Sequence, residues 1–203
     1  MTKIKICGLK GPRDIEAVNE ALPDYIGFVF AKSRRMVSHE QASDMKSRLS
    51  DRILAVGVFV NAALDEIAGL CKDRVIDLVQ LHGDEDASYL QRLRSAVPNP
   101  IIKAVRVQNA GQVLSAQSLP CDYLLLDAYR ENVYGGSGES FDWSVIPTLN
   151  KPFFLAGGLK PENVGAALEI EPYCLDVSSG AETGGVKDRG KIRKIVETVR
   201  RGK

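Results

Sequence analysis

Five places in this 203-residue chain carry residues able to do chemistry, and each follows a short apolar run. Cys7 ends Lys3-Ile4-Lys5-Ile6-Cys7 and is followed by Gly8, whose backbone freedom can stop a strand. Alternation puts Lys3, Lys5 and Cys7 on one face and Ile4 and Ile6 on the other. A thiol at such an end can face a substrate and, once ionised, act as a base. A lone cysteine is equally a common packing residue. Asp127 ends Leu124-Leu125-Leu126-Asp127, where a carboxyl either caps the strand or serves as a general acid. Arg34 and Arg35 close Ala31-Lys32-Ser33-Arg34-Arg35. A guanidinium grips a carboxylate through two parallel hydrogen bonds, although basic loops are often only solvated.

The last two places are turns. Gly157-Gly158 and Ser178-Ser179-Gly180 follow the final two apolar runs. Glycine lets backbone N–H groups approach an anion, and serine adds a hydroxyl donor. Gly-Gly alone merely turns a chain; the two turns together read as a phosphate grip. Asp176, just inside the last run, is expected to be buried and therefore paired, with Lys5 and Lys103 as internal partners. Asp176 is also among the residues expected to bind substrate. His39 and His82 are the only histidines. His39 opens a helix and should be exposed; His82 ends an apolar run and reads as a supporting residue. No metal site is expected from this set.

These residues need elements to position them. Apolar, strand-like runs recur at 4–7, 25–30, 54–60, 78–81, 101–105, 123–126, 153–156 and 174–177. Their spacing of roughly 21–30 residues is that of a strand plus a returning helix. Helical patterns fill the intervals at 12–21, 38–49, 86–96, 110–116 and 188–200. Ser38 and Gln41 form a capping-box pattern, and Asn61 is the expected cap of the helix carrying Leu64, Ile67 and Cys71. Pro161 is expected to start a helix through Leu168, and only a short segment follows Trp143. Residues 128–142, with Tyr134-Gly135-Gly136-Ser137-Gly138, form the longest loop, either a surface turn or a cover over a site.

Eight βα units in one domain predict an α/β fold, a single (β/α)8 TIM barrel across residues 1–203. No G-x-G-x-x-G follows the first run, which weakens a dinucleotide-binding sheet. In a barrel, chemistry sits at the strand C-termini, where all five places fall.

Composition narrows the partners. The net charge is +1, so no broad basic field exists for nucleic acid, and any phosphate site must be local. No run approaches the ~20 apolar residues of a membrane span, and lysines interrupt the N-terminal apolar residues where a signal peptide would need them. The four cysteines are scattered without metal spacing, as expected for reduced thiols in the cytoplasm.

Taken in order, the motifs Lys5-Ile6-Cys7-Gly8-Leu9, Ser33-Arg34-Arg35, Val79-Gln80-Leu81-His82-Gly83, Leu126-Asp127, Ala156-Gly157-Gly158-Leu159 and Asp176-Val177-Ser178-Ser179-Gly180 resemble the phosphoribosylanthranilate isomerases of tryptophan biosynthesis. The resemblance runs from Lys3 to the last helix and is to the stand-alone form. It implies a cofactor-free Amadori rearrangement of N-(5-phosphoribosyl)anthranilate. The expected state of the protein is a monomer or homodimer. By the same resemblance Cys7 is the general base, Asp127 the general acid, and Arg35 the clamp for the anthranilate carboxylate. Gly157, Gly158 and 178–180 are the phosphate grip. Residues 181–188 match most loosely, and none of the expected catalytic roles rests on them. The rival expectations are another phosphosugar barrel enzyme and a non-catalytic phosphate-binding barrel.

Overall fold

The computed structural model describes residues 1–128 and 142–202. The chain runs β1 (Lys3–Cys7), α1 (Pro12–Ala21), β2 (Tyr25–Val29), α2 (His39–Ser47), β3 (Leu54–Phe59), α3 (Leu64–Lys72), β4 (Leu78–Leu81) and α4 (Ala87–Ala96). It continues with β5 (Ile101–Val107), α5 (Ala110–Ala116), β6 (Tyr123–Ala128), β7 (Phe153–Leu155), α6 (Val164–Ala167), β8 (Cys174–Val177) and α7 (Arg189–Arg201). A two-stranded ribbon, β9 (Glu182–Thr183) with β10 (Val186–Lys187), lies between β8 and α7. The eight main strands close into one parallel barrel, as the spacing of the apolar runs predicts.

Closure is made by β1, which pairs with both β2 and β8; Lys5 stands opposite Asp176 in the second pairing. Alternation along each strand then sorts the side chains into two cores. Ile4, Ile6, Phe28, Phe59 and Leu81 point outward and pack under the helices. Val56, Leu78, Ile102, Leu125 and Phe154 point inward. Tyr25, Tyr123, Tyr173 and Phe154 form an aromatic floor with ring centroids 4.9–5.7 Å apart. The Tyr25 and Tyr173 hydroxyls meet at 2.9 Å, so the buried Tyr25 phenol is partnered by that of the half-buried Tyr173. This floor fills the bottom of the barrel and leaves its upper end free for a site.

Most helix signals hold. Ser38 accepts from the Gln41 N–H while the Gln41 side chain accepts from the Ser38 N–H, completing the capping box. Asp188 caps α7, whose buried stripe is Ile192, Ile195, Val196 and Val199. Asn61 departs from expectation. Ala63 is the N-cap of α3, and Asn61 instead adopts a left-handed φ of 50°. Asparagine tolerates that conformation, and its Oδ1 accepts the Asp84 N–H at 2.9 Å, tying the loop after β3 to the one after β4. The helix expected from Pro161 begins only at Val164, because Asn163 turns back to bond the Lys160 N–H and the Gly158 carbonyl. After Trp143 there is one 3-10 turn, Trp143–Val145. The glycine-rich stretch expected to be a turn or a cover lies outside the described residues.

Phe154 is fully buried in the floor and is not among the residues that line the cavity at the strand C-termini. Phe154→Ala should lower unfolding free energy by about 3–5 kcal/mol in urea titration. Turnover measured well below the new melting temperature should stay close to wild type.

Candidate active site

A cavity of about 390 Å³ opens at the C-terminal ends of the strands. Cys7 from β1, Asp127 from β6 and Asp176 from β8 face it because each shares the inward parity of its strand. Arg35, Gly157, Gly158, Ser178 and Ser179 complete the set brought together as the sequence predicts. Gly180 does not line this cavity. It borders a smaller hollow with Gly158, Ser179 and Lys191. A Cβ on Gly180 would lie 1.9 Å from the Leu159 carbonyl oxygen, so only glycine lets the two turns pack this closely. Gly157 and Gly158 have φ of 83° and 64°, in the left-handed region that favours glycine. A Cβ at Gly157 would meet the Ala128 amide nitrogen at 2.9 Å.

Beneath the cavity lies a buried polar chain. The Lys5 ammonium donates to Asp176 Oδ2 at 2.8 Å and to Gln80 Oε1 at 2.7 Å. Gln80 Nε2 meets His82 Nδ1 at 2.8 Å, and His82 Nε2 meets Asp127 Oδ2 at 3.2 Å. Asp127 Oδ1 accepts the Ala128 N–H at 2.8 Å. Lys5 thus pairs with Asp176 as its expected position implied. Lys103 does not join them. Its parity points it outward, where it donates to Glu85 at 2.8 Å and to the Gly83 carbonyl at 2.7 Å. Asp176 Oδ1 is buried with no hydrogen-bond partner among the described residues, at the edge of the cavity.

Charge at Cys7 is contested. Burial pushes its thiol above the ordinary value, while the Lys5 and Lys187 ammonium groups pull it down and the Asp176 carboxylate pushes it up. Burial alone would lower the Lys5 ammonium; Asp176 and Cys7 outweigh that and keep it charged. Ser178 donates its hydroxyl to the Cys7 carbonyl at 3.2 Å. That proton is therefore spent on joining β8 to β1.

The arginine loop is held by a residue to which the sequence reading assigned no role. Glu182 Oε1 and Oε2 accept from Arg35 Nε at 2.7 Å and Nη2 at 3.1 Å. Lys187 donates to Glu182 at 2.8 Å, and the exposed Arg34 reaches it at 3.4 Å. Burial opposes the Glu182 carboxylate, but hydrogen bonds from Arg35 and Lys187 hold it down to about 2. This grip uses the Nε–Nη2 edge of Arg35 and leaves the end-on Nη1–Nη2 edge for a second acceptor. Arg35 also packs on Gly8, where a Cβ would come within 2.4 Å of its Cδ. The sole sequence signal for Glu182 was a lone carboxylate near several cations, too common to single out.

No described helix is long and apolar enough to cross a membrane. Among the described residues no group of three or more His, Cys, Asp or Glu could hold a metal ion.

A closed eight-stranded barrel with a thiol, carboxylates, an arginine and glycine turns around one mouth is a barrel of the enzyme class. Residues 4–198 match the family model described as N-(5'phosphoribosyl)anthranilate (PRA) isomerase. An N-(5'-phosphoribosyl)anthranilate isomerase from Endomicrobium trichonymphae is 50% identical over 201 residues, 98% of each chain. The crystal structure of the phosphoribosyl anthranilate isomerase from Thermus thermophilus superposes with a TM-score of 0.87 at 29% identity, covering 98% of both chains. Another isomerase structure, in complex with reduced 1-(o-carboxyphenylamino)-1-deoxyribulose 5-phosphate, gives a TM-score of 0.82 at 31% identity over 98% of this chain and 99% of that one. The chain belongs to the N-(5'-phosphoribosyl)anthranilate isomerase family.

Glu182→Gln should raise KM and lower the melting temperature, because Arg35 and Lys187 lose their shared anion. The sign follows from its depressed pKa. The carboxylate's contribution is complete above its ordinary value of 4.5 and disappears as pH falls through about 2. The stability difference between wild type and variant should therefore be about 2 kcal/mol at pH 7. It should shrink steadily in urea titrations taken from pH 5 downward.

Proposed function

We propose that this barrel isomerises N-(5-phosphoribosyl)anthranilate to 1-(2-carboxyphenylamino)-1-deoxyribulose 5-phosphate, the Amadori step of tryptophan biosynthesis, with Cys7 and Asp127 as its base and acid. The observation that carries the assignment of roles is the convergence of these two side chains on one cavity from β1 and β6. A protonated Asp127 gives its proton to the furanose ring oxygen, and the C1–O bond breaks to leave an iminium. That cation acidifies the C2 hydrogen, which the Cys7 thiolate removes. The resulting enolamine gains a proton at C1 and loses one from the C2 hydroxyl, giving the ketone with all atoms retained.

Binding groups lie on different sides of this pair. The free edge of Arg35 takes the anthranilate carboxylate. Backbone N–H groups of the turns at Gly157-Gly158 and 178–180 take the phosphate. Asp176 Oδ1 accepts a sugar hydroxyl, which accounts for its being buried without a mate among the described residues. Holding both ends of the substrate fixes the reacting carbons between thiol and carboxyl. Free cysteines in this chain suit the reducing cytoplasm, where we place the reaction.

The decisive assay is turnover of freshly made phosphoribosylanthranilate, followed by loss of anthranilate fluorescence. Absence of turnover by the pure protein would sink the reading. Asp127→Asn should lose about 100-fold or more in kcat, since an amide cannot donate the proton. Cys7→Ser should also lose most of its kcat. With the thiol held above its ordinary value, wild-type kcat/KM should climb as pH rises from 7 towards 9, because the base must be ionised. A flat profile there would remove Cys7 as the titrating base.

Arg35→Met should raise KM strongly with a smaller effect on kcat, a loss of roughly 2–5 kcal/mol in binding for a desolvated carboxylate left unpaired. Arg34 is exposed, and Arg34→Met should do little. Inorganic phosphate should inhibit both variants as it inhibits wild type. A KM defect in Arg34→Met alone would move the clamp by one residue.

A further inference from the structure

The polarity of the buried chain under the cavity follows from the one member that has no choice. An ammonium only donates. Lys5 Nζ, 2.7 Å from the Gln80 amide, therefore requires Oε1 on that side. The other end of the amide is then Nε2, a donor only, and it stands 2.8 Å from His82 Nδ1. Nδ1 must accept, so it carries no proton. The neutral ring keeps its proton on Nε2, 3.2 Å from Asp127 Oδ2.

We propose that Gln80 is a positioning residue that locks His82 in its Nε2–H tautomer, so that the ring donates to Asp127 and cannot take the proton Asp127 must deliver. This deepens the reading of Asp127 as the acid and rests on it. An ordinary imidazole is a stronger base than an ordinary carboxylate. A bare Nε2 facing Asp127 would draw off the proton meant for the sugar ring oxygen. With Nε2 already protonated and Nδ1 covered by the Gln80 amide, neither nitrogen is open to it. The Ala128 N–H on Oδ1 fixes the second carboxyl oxygen, so the acid is oriented from both sides. An amide at position 80 is essential to this logic. A carboxylate would accept from Lys5 on one side and from the ring on the other, and would pull the ring proton to Nδ1.

The ring nitrogens of His82 report the tautomer directly by 15N NMR. The chain has two histidines, and the other, His39, is exposed and paired with Asp73, so His39→Gln leaves a single ring signal. The expected spectrum has a bare Nδ1 and a protonated Nε2. Gln80→Glu should move the proton to Nδ1 and lower kcat about tenfold or more, with KM within about twofold of wild type. Gln80→Met, uncharged and close in volume, should leave the ring in a mixture of tautomers and lower kcat in the same way. A proton on Nδ1 in the otherwise native protein overturns the proposal without any variant having to fold. So does a shifted ring proton in either variant with kcat unchanged. A fully active Asp127→Asn alongside the expected ring spectrum would overturn the acid role and leave the lock standing.

Discussion

A single ammonium group, buried where no water reaches it, sets the terms for the rest of this barrel. Lys5 is fully enclosed, and a charge in that position must be matched by an acceptor within hydrogen-bond reach. The match comes from the strand that closes the barrel, because β1 and β8 pair with Lys5 opposite Asp176. Barrel closure and charge neutralisation are thus one event. Removing either partner would leave a buried charge alone, which is far more costly than never having had the pair.

From that pair the polarity of the site spreads in two directions. Upward, the ammonium acts on Cys7, two residues along the same face, and partly opposes the burial that pushes the thiol up. Across the barrel, it orients Gln80 and through it the ring that touches Asp127. A thiol on β1 and a carboxyl on β6 are therefore both linked to one buried cation. A second ionic centre, Glu182, organises the rim by gathering Arg35, Lys187 and Arg34, and through Lys187 it too acts on Cys7. The first centre lies inside the barrel and the second holds a guanidinium at the rim.

The aromatic floor and the mouth divide the inner face in a similar way. Below, Phe154 and the tyrosines give packing area and no free polar atoms. Above, inward positions at the C-terminal ends of the strands carry Cys7, Gln80, His82, Asp127 and Asp176. Strand parity makes this possible, since moving two residues along a strand keeps the face and changes only the depth. Stability and chemistry can therefore be altered separately.

Much of this was legible in the sequence by itself. Apolar runs at βα spacing specify eight units, and eight right-handed units in one domain close into a barrel. Alternation in β1 already placed Lys5 and Cys7 on one face, and the glycine turns declared themselves by backbone freedom that only glycine has. The tertiary structure alone decided which charges meet. Lys103 looked as suitable a partner for Asp176 as Lys5, yet its parity on β5 turns it out to Glu85. Asn61 had the composition of a helix cap, and a contact with the neighbouring loop claimed it instead. Glu182 had no local signal, because its meaning comes from Arg35, 147 positions away in the chain. Gln80 was an ordinary residue in an apolar strand until closure set a lysine on one side of it and a histidine on the other. Periodicity is a property of neighbours along the chain and can be read there. Hydrogen-bond partnership across a barrel depends on register and closure, which exist only once the chain has folded.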